Sequence, residues 1–255
     1  MSQTSPHTVR IGVFMPAGAQ LLDMACIDVL HMMSREYLGG LPLIPAHVLA
    51  LAPSVKIFYI TSAAAMAAGR IPLTASAALL PTHDLADAEV GPGNLDVVLV
   101  PGADPSEEFG PEVKGWLAKQ MEEGGVDVLS VCTGIYLCGQ SGLLEGRSVC
   151  GPRGLQDDLK KRWPGGKFVG DRLRWTRDGR FWSCGGITNG NELMAAYARE
   201  SAHFPGPVVE MGAMMAEVGM LPQEYEQGSV RFTAGVVWQI LMAWFASPGS
   251  KPKRA

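Results

Sequence analysis

Short apolar segments alternate with segments of helical periodicity along most of this chain, and this alternation most strongly limits its fold. Residues 95–100 and 126–131 are dominated by Val and Leu, as strands buried on both faces are. Strands of this kind, separated by helices, pair into a mostly parallel sheet with helices on its faces. The pattern therefore predicts an α/β fold, a three-layer sandwich around a mostly parallel central sheet.

The local patterns also predict where the main elements lie. The predicted strands are 9–15, 55–60, 95–100 and 126–131. The predicted helices are 21–33, 112–123, 135–141 and 189–201. Residues 167–183 alternate around an Asp178-Gly179 turn, which indicates a hairpin or an edge pair, and 38–53 is interpreted as a loop insertion. Without internal repeats, the 255 residues are expected to form one domain, with a core at about 8–204 and a helical extension at about 205–255.

Charge and hydropathy argue against two classes of partner. The formal net charge is −4, and Lys and Arg cluster only at Lys251, Lys253 and Arg254, so nucleic acid is not expected. The apolar segment 234–246 is interrupted by Gln239 and is shorter than the roughly 20 residues of a membrane span. We therefore expect no membrane partner and interpret this segment as a core helix or a dimer-facing helix. The polar segment 1–10 lacks the apolar region of a secretory signal, which favours a cytoplasmic location.

The five cysteines contain no CxxC pair and no neighbouring His at metal-ligand spacing, so we expect no disulfide framework, metal or other cofactor. Cys132 differs from the others because it stands between a predicted strand and a predicted helix, with Gly134 two residues later. This arrangement is typical of a nucleophile elbow in which Cys replaces Ser. A helix N-terminus favours the thiolate, so Cys132 is predicted to be nucleophilic near neutral pH. The other four cysteines are interpreted as core residues.

Asp23 is the candidate acid–base partner of Cys132, because it follows the first strand of the same sheet and could reach the crevice at the strand ends. A solvated carboxylate in the first turn of its helix is an equally good interpretation. The Pro101-Gly102-Ala103 turn ends a central strand, so the backbone amides of Gly102 and Ala103 are candidates for stabilising developing negative charge.

Two weaker candidates follow later in the chain. Arg153 lies near a predicted strand end, where it could bind substrate or form a surface salt bridge. Asn189 is expected to cap the helix that begins there.

Together these features resemble the DJ-1/PfpI superfamily, also called ThiJ/PfpI, whose members share a flavodoxin-like, class I glutamine-amidotransferase-like sheet with a cysteine at the elbow. The resemblance is carried by five ordered segments: 11–14 with 20–23, 98–103, 131–134, 142–147 and 185–190. Among its branches, the chain looks most like the one that contains the isonitrile hydratases and AraC-type regulators, which has Leu-Asp after the first strand and Val-Cys-Thr-Gly at the elbow. Leu22-Asp23 and 131–134 match these two motifs.

The resemblance implies a homodimer and a small-molecule substrate: Cys132 would attack an isonitrile, Asp23 would shuttle the proton and a formamide would be released. The backbone amide of Thr133, with those of Gly102 and Ala103, would stabilise the developing charge. Where other branches carry Thr-x-His, this chain reads Cys150-Gly151-Pro152, so a Cys-His triad is not implied. Cys26-Ile27 also replaces the Gly-Pro common among the hydratases. Two alternatives stay open: another cysteine-dependent lyase or hydrolase of secondary metabolism, and a non-catalytic small-molecule sensor like the N-terminal domain of certain AraC-type regulators.

Overall fold

The computed structural model describes residues 7–246. The cluster Lys251, Lys253 and Arg254 therefore lies outside the described residues, as do residues 1–6 of the polar N-terminal segment. Eleven strands are found in the described part: β1 Thr8–Phe14, β2 Ser54–Thr61, β3 Ile71–Pro72, β4 Ala78–Leu79, β5 His83–Asp84, β6 Val97–Val100, β7 Asp127–Val131, β8 Ser148–Val149, β9 Lys167–Phe168, β10 Trp175–Asp178 and β11 Phe181–Cys184.

Seven of these strands form the central sheet, in the order β10-β11-β7-β6-β1-β2-β5. All neighbouring strands are parallel except β10 and β11, which form an antiparallel hairpin at one edge. The strand order reverses direction between β1 and β6, because the chain first adds β2 on one side of β1 and later adds β6 on the other. In open α/β sheets such a switch point, at the carboxyl ends of the strands, is the usual place for a ligand.

Helices cover both faces of the sheet. The α-helices are α1 Leu21–Ala25, α2 Ile27–His31, α3 Arg35–Leu38, α4 Ala46–Leu49, α5 Ala63–Ala67, α6 Pro111–Glu122, α7 Gly134–Gln140, α8 Gln156–Arg162, α9 Asn189–Glu200, α10 Gly206–Ala216 and α11 Ser229–Ala246. Alternate residues of β6 face opposite layers: Val97 and Leu99 pack with α2, α9 and α10, whereas Val98 and Val100 pack with α6 and α7. This confirms the three-layer α/β fold.

The four predicted strands and the edge hairpin are present, with ends that differ by at most two residues. The helix predicted at 21–33 is instead divided into α1 and α2 at Cys26, whose thiol donates a hydrogen bond to the Asp23 carbonyl oxygen at 3.0 Å. The predicted loop at 38–53 contains the short helix α4.

Two helices, α10 and α11, follow residue 204 in the described part of the chain, and they differ in burial. Helix α10 buries Val208, Val209 and Ala213 against the sheet-covering layer. Helix α11 exposes apolar side chains such as Trp238 and Ile240, so the interpretation of 234–246 as a core helix is wrong. Within 7–246 the helices are too short or too polar to reach across a membrane.

Candidate active site

Cys132 lies directly after β7 in a left-handed backbone conformation, with φ at +56°. Few residues other than Gly adopt this conformation, and where one does, surrounding structure must hold it there. Helix α7 begins two residues later at Gly134, where a Cβ atom would overlap the Val100 carbonyl oxygen of β6. The missing side chain of Gly134 thus lets strand and helix approach closely. This is the geometry of the predicted nucleophile elbow.

Asp23 lies in α1 and is fully buried, so the solvated-carboxylate interpretation is wrong. Its Oδ2 accepts a hydrogen bond from the Gly102 backbone N–H at 3.2 Å, and its carboxyl group also interacts with the Cys132 thiol. A Cβ atom on Gly102 would overlap both Asp23 Oδ2 and Thr133 Oγ1. The glycine after β6 therefore leaves the space that Asp23 needs to reach the elbow.

Burial sets the ionisation of this pair. Desolvation raises the pKa of Asp23 to about 7, against smaller opposing contributions from the hydrogen bonds of Cys132 and Gly102. Desolvation also raises the pKa of the Cys132 thiol to about 12, and the adjacent Asp23 charge adds to the increase. Hydrogen bonds from Thr133 lower the thiol pKa but do not offset burial. The predicted resting thiolate is therefore wrong: near pH 7 Cys132 is a thiol beside a carboxyl group whose pKa lies in the neutral range.

The pair opens into a crevice of 530 Å³ at the switch point of the sheet. Its wall includes Asp23, Gly102, Ala103, Cys132 and Thr133, so five of the seven predicted site residues come together. The Thr133 hydroxyl donates to the Ala103 carbonyl oxygen at 2.7 Å, which joins the turn after β6 to the elbow. Since the Gly102 N–H is directed at Asp23, it is not the oxyanion donor expected from the sequence.

Arg153 and Asn189 do not line this crevice. The Asn189 side chain donates to the Tyr225 hydroxyl at 2.6 Å instead of capping α9, whose N-cap residue is Thr188. The Arg153 guanidinium stacks on the rings of Tyr225 and Phe232, and it donates to the Gln227 carbonyl oxygen at 2.7 Å rather than forming a salt bridge. Both residues thus fasten the segment between α10 and α11 to the domain.

Several wall residues were not predicted. Leu73 and Thr74 come from the segment after the two-residue strand β3, which is too short to leave a pattern in the sequence. Thr74 Oγ1 accepts from the Leu21 N–H at 2.9 Å and so holds the start of α1 in place. Asp104 and Glu107 also line the crevice. Both residues closely follow the Pro101-Gly102-Ala103 turn, and this position was the sequence signal that could have identified them.

The other four cysteines are buried, and burial raises the pKa of each thiol. All five cysteines are free of disulfides. Over the described range 7–246, no three His, Cys, Asp or Glu side chains are grouped in a way that could hold a metal ion. Cys132 is thus distinguished from the other cysteines by its access to the crevice.

Comparison with known proteins agrees with this geometry. A sequence model of the DJ-1/PfpI family matches residues 43–200, which is more than half of the chain. The chain belongs to the DJ-1/PfpI family. The matched segment contains Cys132, whereas Asp23 precedes it. No curated protein matches the chain.

Solved structures show the same fold at low sequence identity. A ThiJ/PfpI family protein from Pseudomonas syringae is 19% identical, with a TM-score of 0.61, over 95% of this chain and 88% of that one. Drosophila melanogaster DJ-1beta is 17% identical, with a TM-score of 0.59, over 84% and 98% of the two chains. An AraC family transcriptional regulator from Pseudomonas putida is 17% identical, with a TM-score of 0.62, over 82% of this chain and 99% of that one. At these identities the similarity concerns the fold.

Proposed function

We propose that this protein is a cysteine-dependent hydratase that converts a small isonitrile into an N-substituted formamide. The observation that carries the proposal is the buried Asp23 carboxyl group, which interacts with the Cys132 thiol inside the crevice. A carboxyl group with a pKa of about 7 can both accept and return a proton near neutral pH. Among the described residues, no histidine lines this crevice to compete for that role.

The first half of the reaction joins the substrate to the enzyme. The ionised Asp23 accepts the thiol proton as the Cys132 sulfur forms a bond to the terminal carbon of the isonitrile. Asp23 then returns the proton to that carbon, which gives a thioimidate with a C=N double bond. General acid–base assistance of this kind contributes typically about 10²–10⁴-fold to a rate. It also explains how a thiol whose pKa is raised by burial can act as a nucleophile.

The second half releases the product. Water adds to the thioimidate carbon, the substrate nitrogen takes up a proton and the C–S bond breaks. The leaving sulfur regains its proton, so the products are an N-substituted formamide and the original thiol. The backbone N–H of Ala103, at the wall of the crevice, is a candidate donor to the charge that develops on the added oxygen.

The test is turnover of a panel of small isonitriles by the wild type, Cys132→Ala and Asp23→Asn, with Cys138→Ala as a matched control. Cys138 is buried in α7 and does not line the crevice. We expect formamide formation by the wild type and the control, and a loss of roughly 10²-fold or more in each site variant. Unchanged turnover in Cys132→Ala would overturn the proposal. Covalent labelling of Cys132 without turnover would favour a sensor, and turnover of carbonyl or thioester compounds alone would favour another lyase or hydrolase.

We also propose that the protein is a homodimer, as the family resemblance implies. Exposed apolar side chains on α11 support this proposal, because a surface of this kind is usually covered by a partner; they include Trp238, Ile240, Leu241 and Met242. Sedimentation velocity should give a dimer for the wild type and a monomer for Ile240→Glu. A monomeric wild type at micromolar concentration would contradict the proposal.

A further inference from the structure

The charged residues that line the crevice all carry the same sign. Three carboxyl side chains contribute to its wall, from Asp23, Asp104 and Glu107. Among the described residues, no Lys, Arg or His side chain lines it. A cleft with charges of one sign raises the local concentration of ligands of the opposite sign.

The carboxylates of Asp104 and Glu107 form the outer part of the crevice wall and are not held in ion pairs by other described residues. Asp104 and Glu107 are both exposed, and within 7–246 neither forms an ion pair. Asp104 Oδ1 accepts hydrogen bonds from the Ser106 N–H at 2.8 Å and from the Ser106 hydroxyl at 2.7 Å. These bonds lower the pKa of Asp104, so it carries its charge at neutral pH.

A second and independent observation lies deeper in the crevice. Asp23 Oδ1 is buried and accepts no hydrogen bond from the residues that the structure describes, although Oδ2 is bonded to Gly102 and the carboxyl group interacts with the Cys132 thiol. A buried polar atom without a partner is costly unless a ligand or water supplies a donor. Because Asp23 belongs to the wall of the crevice, an electropositive group on a ligand bound beside Cys132 would supply the missing partner.

We infer that the crevice prefers small electrophiles that carry an ammonium group and discriminates against the same electrophiles carrying a carboxylate, phosphate or sulfonate. The reacting end lies at Cys132 and Asp23, and the cationic group is directed towards Asp104 and Glu107. An anionic substituent would instead meet two carboxylates of like charge, which is unfavourable. This inference rests on the proposed function only in taking Cys132 as the reacting residue.

The test measures the rate at which Cys132 reacts with three methanethiosulfonate reagents that carry trimethylammonium, uncharged and sulfonate groups. In each reaction the cysteine sulfur forms a disulfide with the reagent and methanesulfinate leaves. Intact-mass spectrometry gives the labelling rates. The rate measured for Cys132→Ala is subtracted, because it reports labelling of the other four cysteines. Each rate is divided by the rate at which the same reagent reacts with a small uncharged thiol in solution. This correction is needed because any thiolate reacts faster with a cationic reagent than with an anionic one.

We expect the normalised ratio of cationic to anionic rates to be roughly tenfold or more in the wild type at low salt. The ratio should fall several-fold in the double variant Asp104→Asn with Glu107→Gln, and also at high ionic strength. Glu108→Gln is the matched control, because Glu108 is exposed and adjacent to Glu107 but does not line the crevice. This control should keep the wild-type ratio.

Three results would overturn the inference. The first is a wild-type ratio near one, and the second is a ratio that does not change in the double variant. The third is a ratio that falls as much in Glu108→Gln as in the double variant, which would indicate that the net charge of −4 on the whole protein causes the preference. The hydratase proposal can fail separately. If no isonitrile is turned over while the labelling ratio is high and depends on Asp104 and Glu107, the charge preference stands and the assigned reaction is wrong.

Discussion

Replacing Asp23 with Asn should stabilise the protein increasingly as the pH rises. Burial raises the Asp23 pKa from 3.8 to about 7, so between these values the folded state binds more protons than the unfolded state. The free energy of unfolding of the wild type must then decrease as the pH rises, by about 1.4 kcal/mol per pH unit. The amide that replaces the carboxyl group in the variant has no such titration. The stability difference between the variant and the wild type should therefore grow by about 2 kcal/mol from pH 5 to pH 7, where the slope has halved, and level off above about pH 8.

Urea unfolding followed by tryptophan fluorescence measures this difference at each pH. Asp28→Asn is the matched control, because Asp28 is exposed in the adjacent helix α2 and the same substitution there removes no buried carboxyl group. A difference between Asp23→Asn and the wild type that is constant from pH 5 to pH 8 would refute the reasoning, since Asp23 would then titrate alike in the folded and unfolded states.

Three further predictions concern the backbone and the contacts around the site. Gly102→Ala should reduce the reactivity of Cys132 roughly tenfold or more and lower the free energy of unfolding by on the order of 1–3 kcal/mol, because the new Cβ displaces the Asp23 carboxyl group. Full reactivity of Cys132 in this variant would contradict the prediction. Cys132→Gly should be about 1 kcal/mol more stable than Cys132→Ala in urea unfolding, because only glycine adopts φ of +56° without strain, and equal stability would argue against a strained elbow. Tyr225→Phe should lower the free energy of unfolding by about 1–2 kcal/mol, because the hydrogen bond with Asn189 is lost, and should speed up proteolysis between α10 and α11. Unchanged proteolysis would show that this bond does not hold the segment in place.

The sequence was sufficient to predict features that depend on local patterns. Apolar runs ended by Pro-Gly or Cys-Thr-Gly define the strands whose carboxyl ends meet at the switch point. The position of Cys132 at the elbow and of Asp23 after the first strand follows from these runs, because parallel strands present their ends at the same edge of the sheet.

The features that could not be predicted depend on long-range contacts. The pKa of Cys132 is set by burial and by Asp23, which is distant in the chain, so the helix-terminus argument alone gave the wrong ionisation state. Arg153 and Asn189 follow strand ends, but Tyr225 from the distant C-terminal segment contacts both of them away from the crevice. The apolar composition of α11 was compatible with a core helix or a dimer-facing helix, and only the exposure of its side chains in the structure excludes the core helix.

In the proposed mechanism, Asp23 accepts the proton of Cys132. The most direct measurement is the pH dependence of Cys132 alkylation by iodoacetamide, an uncharged reagent, in the wild type and in Asp23→Asn. We predict that the wild-type rate rises through an inflection near pH 7 and that the variant lacks this inflection, because only the ionised carboxyl group assists loss of the thiol proton. The same inflection in both proteins would contradict the claim.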